Sequence, residues 1–319
     1  MFGTYLYKKP IKHQSVDWKH IDTIIIDEIS MVGPDYVDYI DFLLRNETGK
    51  PLEPFGGIQM IFVGDKAQLP PVYTAFDDEA KQELADLKKK YGQLTFDKAY
   101  SYQDFVECEL TEIKRQNDDK FISILNRLRD GDMSALNELK QGRGGDDYTS
   151  LKPFNTMVDK QNNLMFSKLP GAKHTFEADI IGTFNLKNSI TPQVLELKVG
   201  AKVMITKNMQ DEGLVNGDMG KVTKIGDGYI SFYSERLDIE IDIERKKWKE
   251  IKYEGTEEVE VGTFTQYPMK LAYALSIHKS QGLTLDKVSV TVTKNLAKEL
   301  VYVAVSRATN MEHLYINQI

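Results

Sequence analysis

Two short runs of apolar residues in the first third of the chain constrain the fold most strongly. One is the β-branched run Thr23-Ile24-Ile25-Ile26, and the other extends from Ile58 to Val63. Runs that are apolar on both faces are typical of strands inside a parallel sheet that helices cover. Apolar residues at helical spacing occupy 35–45, between the two runs. Strand, helix and strand in this order predict an α/β fold.

The same reading predicts further elements along the chain. Helical patterns occupy 78–91, 120–129 and 158–169, and 287–293 has the character of a buried strand. From 220 to about 265 the pattern changes, and 237–244 alternates strictly between apolar and acidic residues. Alternation of this kind predicts a strand with one face in water. We therefore expect a small antiparallel β module inserted in an α/β domain.

Length, charge and cysteine content exclude several classes of protein. A chain of 319 residues suggests two or three domains. A formal net charge of −7 provides no global basic field, so nucleic acid would have to bind in a local groove. The single cysteine, Cys108, cannot form an intrachain disulfide, and the five histidines lack metal-ligand spacing. No apolar run approaches the roughly 18 to 20 residues of a membrane helix, so we expect a cytoplasmic protein, associated with the nucleoid if bacterial, with no membrane partner.

Two acids follow the first apolar run directly. A strand ending in Asp27-Glu28 has the Walker B arrangement, in which Asp27 would hold Mg²⁺ and Glu28 would orient the water that attacks a γ-phosphate. An isolated pair of this kind is more often a solvated acidic turn. The second apolar run ends in Gly64-Asp65-Lys66-Ala67-Gln68-Leu69-Pro70-Pro71, where the prolines stiffen the segment and hold Gln68 in place. An amide held there could contact the γ-phosphate.

Together, the two strand ends resemble motifs II and III of superfamily 1 DNA helicases. The run Pro54-Phe55-Gly56-Gly57-Ile58-Gln59-Met60 is similar to the PIF-type branch, which is related to RecD. The resemblance implies two RecA-like domains of the P-loop NTPase type, with a small SH3-like β-barrel inserted in the second. It also implies ATP-driven 5′ to 3′ translocation on single-stranded DNA and duplex unwinding. ATP and Mg²⁺ are the implied cofactors, and single-stranded, forked and duplex-junction DNA are the implied partners.

Three later segments resemble the remaining helicase motifs. In 110–116, similar to motif IV, the resemblance implies that Arg115 reaches the nucleotide phosphates. In 301–308, similar to motif VI, Arg307 would be a second phosphate-facing arginine. The segment 267–284 is similar to motif V. Its implied DNA contacts are His278, Lys279, Ser280 and Thr284, and Gly282 would lie beside the nucleotide.

The resemblance covers nearly the whole chain from residue 22 and implies domain limits. We expect a partial first motor domain, 1A, at 1–109. The second motor domain, 2A, is expected at 110–219 and 266–319, with the SH3-like insertion, 2B, at 220–265. Lys246, Lys247, Trp248 and Lys249 in the insertion would either touch a DNA strand or form a solvated hairpin.

One family motif has no counterpart in the 319 residues. A Walker A loop needs Gly-x-x-x-x-Gly-Lys-[Ser/Thr], but Gly49-Lys50 and Gly220-Lys221 fail at the remaining positions. We expect that the chain begins downstream of this loop and binds nucleotide weakly or not at all alone. Three explanations remain open: a truncated helicase, which we favour; one half of a split helicase; or a catalytically inactive relic that binds DNA or acts in regulation.

Overall fold

The computed structural model describes residues 18–75, 77–186, 189, 191–254 and 257–319. The chain divides into an N-terminal unit, 1–112 with 255–257, and a C-terminal unit, 113–254 with 258–319. The first 17 residues of the expected domain 1A, and residues 255 and 256 of the expected insertion, lie outside the described part. None of the described helices is long and apolar enough to cross a membrane.

The N-terminal unit contains two strands and two α-helices in its described part. They are β1 (Thr23–Ile26), α1 (Pro34–Thr48), β2 (Gln59–Phe62) and α2 (Asp78–Tyr91). Strands β1 and β2 pair in parallel, with Ile24 opposite Met60. Helix α1 starts with a proline and ends at Gly49, whose φ of 73° suits a glycine C-cap. The α/β arrangement expected from the sequence is confirmed.

One face of the β1–β2 pair packs into a core. Ile24 and Ile26 contact a cluster that includes Val37, Leu44 and Phe55. Strand residues alternate between the two faces, and on the opposite face Ile25 is 65% exposed and Val63 44% exposed. Apolar runs of this kind suit a sheet covered on both faces, but a sequence without the Walker A strand and its helix is expected to leave an apolar face uncovered. Among the described residues, α1 and the segment around 96–105 pack against one face only.

The C-terminal unit carries the other elements. Its helices are α3 (Asp119–Arg129), α4 (Asn155–Lys168) and α5 (Lys298–Val305). Its strands are β3 (Lys140–Gln141), β4 (Thr149–Lys152), β5 (His174–Glu177), β6 (Asp179–Gly182), β7 (Val194–Leu197), β8 (Lys202–Ile205), β9 (Met219–Ile225), β10 (Tyr229–Ser234), β11 (Ile239–Glu244), β12 (Lys246–Glu254), β13 (Glu257–Gln266), β14 (Met269–Leu271), β15 (Ala274–Ser276), β16 (Val288–Val292) and β17 (Leu314–Gln318).

A five-stranded parallel sheet forms the α/β part of this unit. Its strand order is β15-β4-β16-β17-β3. Helices α3 and α5 pack together and α5 packs on β16, whereas α4 packs on β15 and β4. Leu151, Val290 and Ile316 in the three central strands are at most 1% exposed, so this sheet has the buried apolar strands that a RecA-like domain requires.

A second five-stranded sheet, β11-β10-β9-β8-β14, is antiparallel throughout. Its core includes Val203, Val222, Ile230 and Phe232. The antiparallel strands expected at 220–265 are present, but their sheet also recruits β8 and β14 outside those limits. Strands β12 and β13 form a separate sheet with β6. Closure of the module into an SH3-like barrel stays a prediction.

Candidate functional site

The acid pair lies at the carboxyl end of β1. Asp27 is exposed, and its Oδ1 atom accepts the backbone N–H of Glu28 at 2.8 Å. Glu28 is half-buried and has φ 52° and ψ 41°, the left-handed conformation that few residues other than glycine adopt. Backbone strain of this kind is concentrated at functional sites. It turns the chain sharply after Asp27.

The end of β2 lies directly beside this turn. The backbone N–H of Val63 donates to the Ile26 carbonyl at 2.9 Å, and the N–H of Ile29 donates to the Val63 carbonyl at 3.0 Å. A Cβ atom on Gly64 would lie 3.0 Å from Ile29 Cγ2 and 3.1 Å from Ile29 N. Glycine therefore permits the close approach of the two loops that the sequence predicts to be catalytic.

Gln68 lies in a turn organised by Asp65. The Asp65 carboxylate accepts the Ala67 N–H at 2.9 Å, and its carbonyl accepts the Gln68 N–H at 3.0 Å. Gln68 is half-buried and the next residue, Leu69, is 4% exposed. The fold thus brings the turn carrying Gln68 to the same edge of the β1–β2 pair as Asp27 and Glu28.

Sequence reasoning missed a bond that fixes the segment after Gln68. The Tyr73 hydroxyl donates to Asp35 Oδ1 at 2.6 Å, at the first turn of α1. Burial and then this bond raise the pKa of Tyr73. A Cβ on Gly33 would lie 1.7 Å from the Tyr73 oxygen, so the bond depends on glycine there. The sequence offers Gly33 as its only signal.

In the C-terminal unit, Arg115 joins segments that are distant in sequence. Its Nε donates to Thr284 Oγ1 at 3.2 Å, and its Nη1 donates to the Ser306 carbonyl at 3.1 Å. The segments resembling motifs IV, V and VI therefore meet at one half-buried guanidinium. Thr284, expected at DNA, is exposed and lies beside this arginine.

Gln116, the neighbour of Arg115, anchors this meeting point. It is 4% exposed, and its Nε2 donates to the carbonyls of Ser306 at 3.3 Å and Ala308 at 2.8 Å. Sequence reasoning quoted Gln116 within a motif but gave it no role. Its position beside an expected phosphate-facing arginine is the signal that would have identified it.

Arg307 is buried rather than presented at the surface. It is 2% exposed, and its guanidinium donates to the Val303 carbonyl at 3.0 Å and to Ser306 Oγ at 2.8 Å. The Arg307 carbonyl accepts the Leu285 N–H at 2.9 Å. These bonds hold the arginine against the last turn of α5, so contact with a phosphate would require the side chain to exchange partners.

The motif V residues differ strongly in exposure. His278, Lys279 and Ser280 form a 3-10 turn after β15, in which Lys279 is exposed and His278 half-buried. Burial lowers the pKa of His278, which favours a neutral ring at pH 7. Ser280 is 0% exposed, and its hydroxyl donates to the Ile277 carbonyl at 2.8 Å. The expected contact of the Ser280 side chain with DNA does not fit this structure, because the hydroxyl is buried and donates its hydrogen bond inside the turn.

Two further features of this segment bear on binding. Gly282 has φ 78° and open space where a Cβ would stand, so a ligand can approach its backbone closely. Lys270, on β14, was missed although it belongs to the quoted motif V run. Burial and the charge of nearby Lys279 lower the pKa of Lys270 to about 8. It is therefore a partly charged amine beside an expected DNA contact.

A loop of the antiparallel sheet also touches motif V. A Cβ on Gly217 would lie 2.5 Å from Leu283 Cδ2. The next residue, Asp218, accepts two bonds from Arg236 at 2.6 and 2.7 Å and one from the Val215 N–H at 2.9 Å. Burial alone would raise the pKa of Asp218, but Arg236 and the Val215 N–H hold it below its usual value.

The described residues contain no group of three or more His, Cys, Asp or Glu side chains that could hold a metal ion. Asp27 supplies one exposed carboxylate. This fits Mg²⁺, which keeps several waters and is usually bound through one or two carboxylates and the phosphates of a nucleotide.

Family models match three parts of the chain. The PIF1-like helicase model matches residues 6–139, a helicase model matches 245–318, and the model for the 2B domain of the DNA helicase Pif1 matches 185–225. The last match overlaps the insertion expected at 220–265 only at 220–225 and includes β7, β8 and β9.

Individual relatives agree. The chain is 34% identical over 327 aligned residues to the ATP-dependent DNA helicase PIF1 of Xenopus laevis, covering 98% of this chain and 48% of the relative. For the human PIF1 helicase the values are 32% over 318 residues, 94% and 46%. The chain thus spans about half the length of the curated relatives it matches.

Solved structures extend the likeness to the fold. Bacteroides Pif1 in complex with ADP-AlF4 has a TM-score of 0.76 and 32% identity, covering 99% of this chain and 76% of that chain. Bacteroides Pif1 with ADP-AlF3 and single-stranded DNA has a TM-score of 0.71. The fold and the relatives place the chain in the class of superfamily 1 helicases with RecA-like domains. The chain belongs to the Pif1-like helicase family.

Proposed function

We propose that this chain carries the hydrolysis and DNA-gripping residues of an ATP-dependent 5′ to 3′ DNA helicase that moves along single-stranded DNA. The hydrogen bonds of Arg115 carry the proposal. They join it to Thr284, which is 169 positions away in the sequence, and to Ser306, which is 191 positions away. An arginine that only faced solvent would have no reason to bond to the motif V and motif VI segments at once. The proposal includes the division into domain 1A at 1–109, domain 2A at 110–219 and 266–319, and the 2B insertion at 220–265.

The roles that we propose at the nucleotide rest on the family resemblance and are supported by the positions of the side chains. Asp27 would hold Mg²⁺ through water, and Glu28 would orient and polarise the attacking water. Gln68, on a turn beside both acids, would respond to the γ-phosphate and couple its loss to movement. Arg115 and Arg307 would stabilise negative charge in the transition state after exchanging their carbonyl partners for phosphate oxygens. ATP, when bound, supplies the phosphoryl group that is transferred.

The proposed DNA contacts centre on the 3-10 turn after β15. Lys279 is exposed and supplies a point charge to a backbone phosphate, while half-buried His278 supplies a neutral hydrogen-bond donor. Ser280 acts as a positioning residue that holds the turn. Thr284 links this turn to Arg115, so the DNA and nucleotide contacts share one segment. The partners proposed are single-stranded and forked DNA.

An ATPase assay tests the first half of the proposal. The 319 residues contain no Walker A sequence, so the chain alone should show no DNA-stimulated hydrolysis. Fused behind a segment that carries a Walker A loop, it should hydrolyse ATP, and Glu28→Gln should abolish turnover while sparing nucleotide binding. Glu79→Gln, an exposed acid on α2, is the matched control.

The outcomes separate the alternatives. Activity restored by a separate Walker A polypeptide, without fusion, supports a split helicase. No activity under either condition supports a relic that only binds DNA. Robust hydrolysis by the 319-residue chain alone, abolished by Arg307→Ala, contradicts the proposed need for an added phosphate loop.

Fluorescence anisotropy with a (dT)20 oligonucleotide tests the DNA half. Because the net charge is −7, binding should come from a local groove, weaken with salt and favour single strands over duplex. Lys279→Ala should reduce the slope of log K against log salt by about 1. Lys120→Ala, an exposed lysine on α3, should leave the slope unchanged. Equal, salt-independent affinity for both DNA forms would contradict the proposal.

A further inference from the structure

A pocket of about 470 Å³ opens on the face of the parallel sheet that α4 covers only in part. Helix α4 packs on β15 and β4, and the remainder of this face is polar. Ser150 and Lys152 of β4, Ser289 of β16 and Asn317 of β17 line the pocket. Polar residues in the centre of a parallel sheet are unusual, because such strands are normally apolar on both faces.

The charge of the pocket is strongly unbalanced. Four cationic side chains line it, against two carboxylates, those of Asp146 and of the C-terminal residue Ile319; the cations are Arg143, Lys152, Lys160 and Lys168. Within the described part of the chain, none of the four forms an ion pair. Elsewhere in the same unit, comparable cations such as Arg236 and Lys287 do have carboxylate partners.

Lys152 is the most informative of these residues. It is 9% exposed, and its ammonium group donates to the Thr291 hydroxyl at 2.9 Å. Buried lysines are normally paired with an acid, since an uncompensated buried charge is costly. Burial and the charge of Arg143 lower the pKa of Lys152. An anion in the pocket would compensate both effects.

We propose that this pocket binds a phosphate-bearing ligand, held by Arg143, Lys152 and Lys160. The excess of two positive charges suits a diphosphate group or two consecutive phosphates of a DNA strand. Arg143 offers a planar fork of donors and the lysines offer point charges, which are the usual partners of phosphate oxygens. The volume lies within the usual range for small-ligand sites. The proposal does not depend on the nucleotide and DNA sites assigned above.

Isothermal titration calorimetry of the 319-residue chain tests the proposal with inorganic pyrophosphate as the probe. Binding should be saturable, and Arg143→Ala with Lys160→Ala should weaken it at least about tenfold, through loss of two charge-assisted contacts. Both residues are exposed, so the fold should survive the change. Lys152→Met should also weaken binding while keeping a packed sheet. Lys120→Ala is the matched control.

A (dT)20 titration of the same variants separates the two sources of phosphate. If a DNA strand is the natural ligand, (dT)20 should compete with pyrophosphate, and the double variant should lose affinity for both. If the ligand is a small molecule, only pyrophosphate affinity should fall. Lys120→Ala should leave both affinities unchanged in either case. No saturable pyrophosphate binding, or equal binding by wild type and double variant, would overturn the proposal.

Discussion

The two units hold their candidate catalytic side chains by different means. In the N-terminal unit, backbone conformation holds them. Glu28 has a left-handed backbone conformation, and Gly64 lets the loop after β2 approach Ile29 closely. In the C-terminal unit, side chains hold them, since Arg115 and Gln116 donate to backbone carbonyls across the unit.

This difference determines what a substitution measures. Replacing the carboxylate of Glu28 leaves the backbone geometry in place, so a loss of activity there reports on chemistry. Replacing a side chain at 115, 116 or 307 removes bonds that hold the fold, so a loss of activity reports on both. Tryptophan makes the comparison measurable, because Trp18 lies in the N-terminal unit and Trp248 in the C-terminal unit, and the sequence has two in total.

The largest effect is expected for Gln116→Ala. Removing a buried amide that satisfies two carbonyls should lower the free energy of unfolding of the C-terminal unit by about 2 to 4 kcal/mol. Urea denaturation followed by Trp248 fluorescence in a Trp18→Phe background measures this change. The exposed Gln210→Ala is the control and should cost less than about 0.5 kcal/mol. An equal loss in both variants would contradict the anchoring role.

Asp218→Asn should have the next largest effect, about 2 kcal/mol at pH 7, because a charge-assisted bond to Arg236 is weakened. The pKa of Asp218 is lower in the folded state. Its contribution is therefore complete above the unfolded value of about 3.9 and disappears as pH falls through the folded value. Wild type and variant should converge once the pH lies below the folded pKa of Asp218. The exposed Asp211→Asn is the control and should cost less than about 0.5 kcal/mol. A constant difference between wild type and Asp218→Asn at all pH values would contradict the assignment.

A smaller effect is expected for Lys270, whose buried amine lies close to another lysine, Lys279. With a pKa of about 8, Lys270 loses its charge between pH 7 and pH 9. Since Lys279 is close enough to affect this pKa, the affinity for (dT)20 should fall about threefold more in wild type than in Lys270→Met over this interval. Lys120→Met should behave like wild type. Identical pH profiles for wild type and Lys270→Met would place DNA away from Lys270.

The smallest effect is expected for Glu28→Gly in the N-terminal unit. Glycine adopts φ 52° without the roughly 1 to 2 kcal/mol penalty of other residues, although it loses more entropy on folding. A net gain in stability of about 0.5 kcal/mol should appear in Trp18 fluorescence in a Trp248→Phe background. Glu28→Gln should leave stability unchanged. A loss greater than about 1 kcal/mol would show that the Glu28 side chain itself supports the fold.

Local signals in the sequence predicted the helices well. The prediction at 78–91 is confirmed by α2, because Asp77 caps its first turn, lysines occupy its last turn and Gly92 ends it. Long-range pairing was less accessible. The alternation at 237–244 predicted a strand with a wet face, but no local pattern indicates that its sheet extends to β8 and β14. Apolar runs likewise cannot distinguish a strand covered on both faces from β1, which is covered on one.

For the candidate site, the sequence identified the segments better than the individual contacts. It singled out Arg115, Thr284 and Arg307, and the structure brings them to one region of the C-terminal unit. Whether a side chain points outward depends on the turn around it, which is why the buried hydroxyl of Ser280 was not foreseen. Gln116 and Lys270 were overlooked because the role of a lone amide or amine depends on its burial and its neighbours, which the sequence does not show.

The adjacency of Arg115 and Gln116 has a mechanical consequence. The Ser306 carbonyl accepts one bond from each residue, and Gln116 holds a second carbonyl, that of Ala308. If the Arg115 guanidinium rotates away from Ser306, the two bonds of Gln116 still hold the backbone at 115–116 beside Ser306 and Ala308. The Arg115 side chain can therefore exchange its hydrogen-bond partners while the bonds of Gln116 keep the 115–116 segment attached to the end of α5.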